Sequence, residues 1–250
     1  MNDTELYIFG RHPVEEALLR NPAKINKIFI REYINAQSIK NIQRLSSENR
    51  IPVVHVPGRK LYELVGKVND QGVVAQMSPV AYYDLDEWLI EKCNIDEQPT
   101  LLLLDEIEDP HNLGAILRTV AASGIDAVIL PKHRQAPVNA TVFKTSAGTA
   151  GLVPIIRVTN LNQTILQLKG VGFWIVGMDQ NAPKSYWEQD YDMALAVVIG
   201  SEGKGIRKKT LEHCDFLINI PMANEVESLN ASVSAALVCY EIKRFKSKND

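Results

Sequence analysis

The chain has 250 residues, 27 Lys+Arg against 30 Asp+Glu and a formal charge of −3, with 46% hydrophobic and 23% charged residues. Such a balance excludes a disordered chain, a collagen-like repeat and a coiled coil, and leaves ample material for a buried core. The longest apolar run, Leu101 to Leu104, stops at Asp105, far below the ~20 residues that span a bilayer. Met1 to Glu5 is acidic and lacks a signal-peptide core, so a cytoplasmic protein with no membrane contact is expected. The three cysteines are far apart, and none of the five histidines stands in H-x-x-x-H spacing, so neither a disulfide framework nor a metal site is expected.

Charge divides the chain. Residues 1–80 carry 11 Lys+Arg against 8 Asp+Glu (net +3), residues 81–99 carry 1 against 6 (net −5), and residues 100–250 carry 15 against 16 (net −1). The acidic stretch reads as a boundary, giving a first domain at 1–77, a linker at 78–98 and a second domain at 99–250. In the first domain, helices are expected over 12–19, 39–45 and 60–65, and strands over 25–30, 53–56 and 72–76. Alternation on that scale predicts a small α/β/α sandwich. Residues 81–90 read as a short helix. Beyond them, strands are expected at 100–105, 127–130, 172–176, 194–199 and 216–220, and helices at 113–123, 140–146, 161–168 and 232–245. These strands are continuous apolar runs, as in a mostly parallel sheet covered on both faces. In such a sheet a ligand sits at the carboxyl ends of the strands, which directs attention to the loops after Asp105, Ile199 and Ile220.

Absent motifs narrow the chemistry. No G-x-G-x-x-G follows a strand, no nucleophile elbow occurs, and Gly200-Ser-Glu-Gly-Lys-Gly205 lacks the spacing and the Ser/Thr of a nucleotide phosphate loop. Three loops remain. The first, Asp105 to Arg118, sets Asn112, Gly114 and Arg118 at a strand end. Asn112 is expected to cap the following helix, and a guanidinium at 118 would clamp a phosphate or carboxylate. The second, Gly200 to Gly205, has three glycines that admit close backbone approach, while Glu202 would repel an anion. The third, Ile218 to Ser232, offers Ser228, Asn230 and Ser232 as caps for the last helix, and capping accounts for only one of them.

Taken together, Asn112-x-Gly114-x-x-x-Arg118, Ile199-Gly-Ser-Glu-Gly-x-Gly205 and Ile220-Pro-Met222 with Ser228-Leu-Asn-Ala-Ser232 resemble the three motifs of the SpoU-like (TrmH-type) RNA ribose 2′-O-methyltransferases of the SPOUT superfamily. The resemblance covers about residues 100–246. Gly10-Arg-His-Pro-Val14 and Asp70-Gln-Gly-Val-Val-Ala75 resemble the family's L30e-like RNA substrate-binding domain. The whole looks most like the branch that methylates a guanosine of bacterial 23S ribosomal RNA.

This resemblance implies S-adenosyl-L-methionine as methyl donor, a homodimer, and a trefoil knot that passes the final helix near 200–205. It implies ribosomal RNA or a pre-ribosomal particle as partner. By position, Gly200, Ile220 and Leu229 match the backbone contacts to the cofactor, with Met222 and Thr145 as further wall residues. Arg118 matches the essential arginine, and Asn112, Glu202, Ser228 and Asn230 match the other polar active-site positions. Arg11, Arg59 and Lys60 are candidates for RNA contact, against the ordinary reading of solvated surface charge. Two departures from the family pattern stand out, Ala223-Asn224 after Pro-Met and Gly151-Leu152 before Val153-Pro154. Methylation of transfer RNA and a non-catalytic role in RNA binding or ribosome assembly are the alternatives.

Overall fold

The computed structural model describes residues 6–224, 226 and 228–249. The chain forms two compact units, one running to residue 81 and including 137–141, the other comprising 82–136 and the chain from 142 onward.

The smaller unit runs β1 (Leu6–Phe9), α1 (Arg11–Arg20), β2 (Ile25–Arg31), α2 (Lys40–Glu48), β3 (Val53–Val56), α3 (Gly58–Val65) and β4 (Val73–Met77). Its sheet has the order β1-β4-β2-β3, with β4 antiparallel to both neighbours and β2 parallel to β3. Alternation along β4 explains the layers, because successive side chains point to opposite faces. Val73 and Ala75 join Val14 and Leu18 of α1 and Ile42 and Leu45 of α2 on one face. Val74 joins Leu61 and Val65 of α3 on the other. The expected three-layer sandwich is therefore present. Strand β1, absent from the sequence reading, is a four-residue edge strand too short to show a period.

The larger unit runs α4 (Leu85–Glu91), β5 (Thr100–Asp105), α5 (Pro110–Ser123), β6 (Ala127–Pro131), α6 (Ala140–Thr145), β7 (Ile155–Val158), α7 (Leu161–Gly170), β8 (Trp174–Met178), β9 (Lys184–Ser185), β10 (Leu195–Gly200), α8 (Lys208–Leu211), β11 (Phe216–Asn219) and α9 (Ala231–Asn249), the first two residues of α6 lying in the 137–141 segment. The seven strands take the order β7-β6-β5-β10-β8-β11-β9, and every pair is parallel. All carboxyl ends therefore share one side of the sheet. From β5 the chain builds outward through β6 and β7, then returns to lay β10 on β5's other side. The switch point lies between β5 and β10, where Asp105 pairs in register with Gly200, and such a point is where open parallel sheets hold ligands. The stretch expected as a linker is not all connection: Leu85 and Trp88 of α4 are buried in this unit's core with Leu101, Ile156 and Ile165. Among the described residues, no helix is long and apolar enough to cross a membrane.

Candidate active site

Three polar residues from three distant loops meet at the carboxyl side of the larger sheet. Asn112 lies in the first turn of α5, Glu202 in the loop after β10, and Asn230 just before α9. The Glu202 carboxylate accepts from Asn112 Nδ2 and, at 2.6 Å, from Asn230 Nδ2. Asn230 Nδ2 also donates to Asn112 Oδ1 at 3.0 Å. In turn Asn230 Oδ1 accepts from the Ser232 backbone N–H at 2.9 Å and from its hydroxyl at 2.6 Å. Asn230 thus caps α9 and anchors Glu202 at once. Glu202 stands beside the amino ends of two helices, α5 and α9, whose dipoles favour an anion. The carboxylate fills that anion site itself, so the pocket it borders suits a cationic or hydroxyl-bearing ligand. One expectation is corrected here. Asp109, not Asn112, caps α5, accepting from the His111 N–H at 2.9 Å. Pro110 then takes the first helical position, as its missing N–H permits, and Asn112 is freed from capping to hold Glu202.

A cavity of about 380 Å³ opens beside this cluster, within the range of small-ligand sites. Gly200, Glu202, Ile220, Met222, Ser228 and Leu229 all line it. Gly200 is irreplaceable for a steric reason. A Cβ there would lie 2.1 Å from the Gly205 carbonyl carbon and 2.2 Å from the Ile206 nitrogen. The loop folds back through a bridge between Ser201 and Gly205, and Gly205 takes φ +64 to close it. The sequence reading did not anticipate the opposite wall, Met178, Asp179 and Asn181, although β8 ends there and the carboxyl-end rule covers it.

A further group escaped the sequence reading because its members stand 102 residues apart. Asp105, fully buried, receives Arg207 Nε at 2.7 Å and the Arg207 backbone N–H at 3.0 Å. This pair fastens the end of the glycine-rich loop to the end of β5. Its signal was an acid closing an otherwise apolar strand.

Two expected residues lie elsewhere. Thr145 packs on Gly114, where a Cβ would come within 2.7 Å of the Thr145 side chain. It belongs to the close approach of α6 to α5 and is not among the residues lining the cavity. Arg118 is exposed on α5, and its guanidinium makes no ion pair or hydrogen bond with any described residue. It is likewise outside the cavity lining. In the smaller unit, Arg59 and Lys60 both pair with Glu63 on their own helix, at 3.2 and 3.5 Å. The Arg11 backbone N–H donates to Gln71 Oε1 at 3.1 Å. Asn224, at one family departure, adopts φ +61, a conformation that asparagine tolerates better than most residues. Among the described residues, no cluster of His, Cys, Asp or Glu could hold a metal ion.

Comparison with known proteins follows the same division. Residues 99–240 match the family described as SpoU rRNA Methylase, and residues 7–83 match that described as RNA 2′-O ribose methyltransferase substrate binding. A Staphylococcus saprophyticus protein named for the TrmH family of tRNA/rRNA methyltransferases is 45% identical over 98% of this chain and 97% of its own. The SpoU methyltransferase AviRb of Streptomyces viridochromogenes, solved in complex with AdoMet, shares the fold with a TM-score of 0.63 and 21% identity, over 98% of this chain and 91% of that one. The A. aeolicus TrmH/SpoU tRNA modifying enzyme matches with a TM-score of 0.56 and 28% identity, over 61% of this chain and 77% of its own.

Proposed function

The chain belongs to the SpoU rRNA Methylase family, and we propose that it methylates the ribose 2′-hydroxyl of a guanosine in 23S ribosomal RNA with S-adenosylmethionine as donor. The observation that carries this reading is Glu202, which lines the cavity and is locked by the Asn112 and Asn230 amides. The residues present fit the donor. Gly200, Ile220, Met222 and Leu229 would hold it, largely through main chain at strand ends, where N–H and C=O groups can read an adenine edge. Asp179 places a carboxylate on the wall for its positive charge. When bound, the donor supplies an electrophilic methyl on a sulfonium.

The chain's own residues must then position a ribose hydroxyl and take up its proton. Holding reactants in line contributes roughly 7–11 kcal/mol in favourable cases. Glu202, with Asn230 beside it, is placed to accept from the hydroxyl, and Asn112 keeps that carboxylate from turning away. Arg118 is a poor base, because a guanidinium stays protonated at neutral pH. We assign it to the RNA, clamping the adjacent phosphate through its planar fork. Its exposure and its position off the cavity fit that assignment. We further propose a homodimer and a trefoil knot at α9, as the family implies. The match of residues 7–83 to an RNA 2′-O ribose methyltransferase substrate-binding family supports an RNA substrate, and the choice of ribosomal over transfer RNA leans on the tRNA modifying enzyme of A. aeolicus matching only 61% of this chain.

The deciding experiment offers labelled donor with unmodified 23S ribosomal RNA and, separately, bulk transfer RNA, followed by nucleoside analysis. Label on a 2′-O-methylguanosine of ribosomal RNA is the expected result. Label on transfer RNA would keep the chemistry and overturn the substrate. Ribosome assembly supported equally by Arg118→Ala would favour a non-catalytic role. Near-normal transfer by Arg118→Lys would rule out any role that needs the planar fork.

A further inference from the structure

We propose that Tyr33 is a stacking site for an unpaired nucleotide of the RNA, carried at the loop-bearing end of the smaller unit's sheet. The proposal rests on the RNA-methyltransferase reading above and adds to it a residue that neither the motifs nor the cavity identifies.

Tyr33 lies in the turn that follows β2, two residues beyond the strand's last residue, Arg31. The residue is 102% exposed, relative to a fully accessible tyrosine, and its backbone sits at φ +58. Each fact is unusual, and together they are contradictory as structure. A bulky aromatic residue in the left-handed region is strained, and glycine or asparagine would fill the turn at lower free energy. The ring returns nothing for that strain within the protein, since it buries no surface and bonds to no described residue. Strain of this kind persists where the surrounding structure over-determines it, and it gathers at sites that bind.

The surroundings are over-determined. The Arg31 N–H donates to the Gly72 carbonyl and the Glu32 N–H to the Val56 carbonyl, both at 2.9 Å. Asp70 Oδ1 accepts from the Gly72 N–H at 2.6 Å and pairs with Arg31 at 3.1 Å. The Gly10 N–H donates to the Val73 carbonyl at 3.0 Å. Four loops are thus tied into one platform: the ends of β1, β2 and β3 and the start of β4. Gly10, Gln71 and Gly72 on this platform also have positive φ, at +94, +48 and +80. The elements that flank these loops carry Arg31 at the end of β2, Arg11 at the start of α1, and Arg59 and Lys60 in the first turn of α3. An exposed aromatic ring at the same end of the sheet as these cations is complementary to a flexible polyanion whose bases have unstacked. A protein partner would call for a continuous apolar patch, which the charged neighbours of Tyr33 interrupt.

The test compares the full-length protein with Tyr33→Asn and Tyr33→Phe. The measurements are affinity for a 23S ribosomal RNA transcript across a salt series, thermal stability and donor binding. Asparagine relieves the strained turn and removes the ring. The expected result for Tyr33→Asn is a loss of RNA affinity of about 5- to 100-fold, an unchanged salt slope because no phosphate contact is lost, an unchanged or higher melting temperature and unaltered donor binding. Tyr33→Phe should keep wild-type affinity within about twofold, because stacking needs only the ring. Wild-type RNA affinity in Tyr33→Asn would overturn the proposal. So would a lost affinity accompanied by a lower melting temperature, which would make the tyrosine structural, or intact RNA binding with a lost protein contact. If the wild-type protein itself neither binds nor methylates any RNA, the functional reading fails first, and that outcome is separable from a failure confined to Tyr33.

Discussion

The two units use the ends of their sheets in opposite ways. In the larger unit all seven strands are parallel, so every carboxyl end and the amino ends of α5 and α9 face one side. Polar groups there turn inward and satisfy one another: Asn112, Glu202 and Asn230 form one set, Asp105 and Arg207 another. The result is a recess with fixed walls. In the smaller unit β4 runs against its neighbours, so strand ends alternate with a strand start. The loops gathered there hold exposed cations and an exposed ring. A parallel sheet concentrates dipoles and makes a pocket for a small ligand, whereas a short mixed sheet makes a projecting platform for a long one. The difference can be tested with matched pairs of substitutions, one in each unit.

The largest contrast is between two glycines. Gly200→Ala drives a methyl into the Gly205 and Ile206 backbone at 2.1–2.4 Å, where nothing can yield as a side chain would. Overpacking of this sort costs about 3 kcal/mol or more, and the displaced loop takes the cavity wall and Glu202 with it. Methyl transfer and donor binding should both fall below detection, with a melting temperature several degrees lower. Gly58→Ala, in the first turn of α3, meets only the Arg31 side chain, at 3.5 Å. It should melt at or slightly above the wild-type temperature, because alanine favours a helix. Equal effects at the two positions would break the distinction between recess and platform.

Next in size is the carboxylate. Glu202→Ala leaves two amides without their acceptor and removes the carboxylate proposed to accept from the hydroxyl. Loss of one preorganised polar group of this kind lowers kcat by about 10²- to 10³-fold. Donor affinity should change by only a few-fold, since the main-chain walls remain. A fall in affinity equal to the fall in kcat would instead make Glu202 a binding group. The counterpart, Arg59→Ala, removes an exposed charge already paired to Glu63. It should weaken RNA binding slightly and reduce the salt slope by about one phosphate contact.

The legibility of each region follows from how local its causes are. Strand β5 matches its expected span, Thr100 to Asp105, because a buried parallel strand announces itself as an unbroken apolar run. Strand β8 begins two residues later than expected, at Trp174, since Gly172 with φ +105 belongs to the turn before it. Strands β7 and β9, four and two residues long, offer too few positions to display a pattern. In the site, Asn112, Glu202 and Asn230 were each visible as polar residues at strand ends, and folding brought the three together. Asp105 with Arg207 was invisible because its cause is tertiary. For Arg118 the geometry was available in advance. Six residues at ~100° each turn it about 240° around α5 from Asn112, toward a different face.

The two acid–arginine pairs give the third contrast. Arg207→Ala strands the Asp105 carboxylate, which is 0% exposed, with only a backbone N–H for a partner. Removing one member of a fully buried pair costs about 3 kcal/mol; with the Arg207 side chain 43% exposed to solvent the loss here is smaller, roughly 1–3 kcal/mol, and a fall of a few degrees in melting temperature is expected. Arg31→Ala acts on a pair whose acid keeps 16% exposure and the Gly72 N–H. A loss of roughly 0–1 kcal/mol is expected there. Similar losses would mean that water reaches Asp105 in solution, and that the recess is less closed than its walls suggest.

The smallest effect is alkaline, and it should fall on one unit alone. All three cysteines, Cys93, Cys214 and Cys239, lie in the larger unit. Burial pushes the Cys214 thiol up to about 12, with the nearby Asp215 charge adding to the rise. Burial likewise pushes Cys239 up to about 12 against a lowering contribution from its Ser123 hydrogen bond. The Tyr191 hydroxyl moves in the same direction, through burial first and the Glu241 charge second. Each raised group stays protonated in the fold at a pH where the unfolded chain releases its proton. Below about pH 9 both states hold the thiol proton and stability does not depend on it. Above that, the unfolded chain binds fewer protons, so stability falls as pH rises toward 12. Melting temperatures at pH 8 and 10.5 should therefore differ, and the difference should shrink in Cys214→Ala. Amide exchange would assign the loss to the β8–β11 region, with β2 and β4 unaffected. An equal loss of protection in β2 and β4 would show that the two sheets unfold as one, and that their different ends are borne by a single cooperative body.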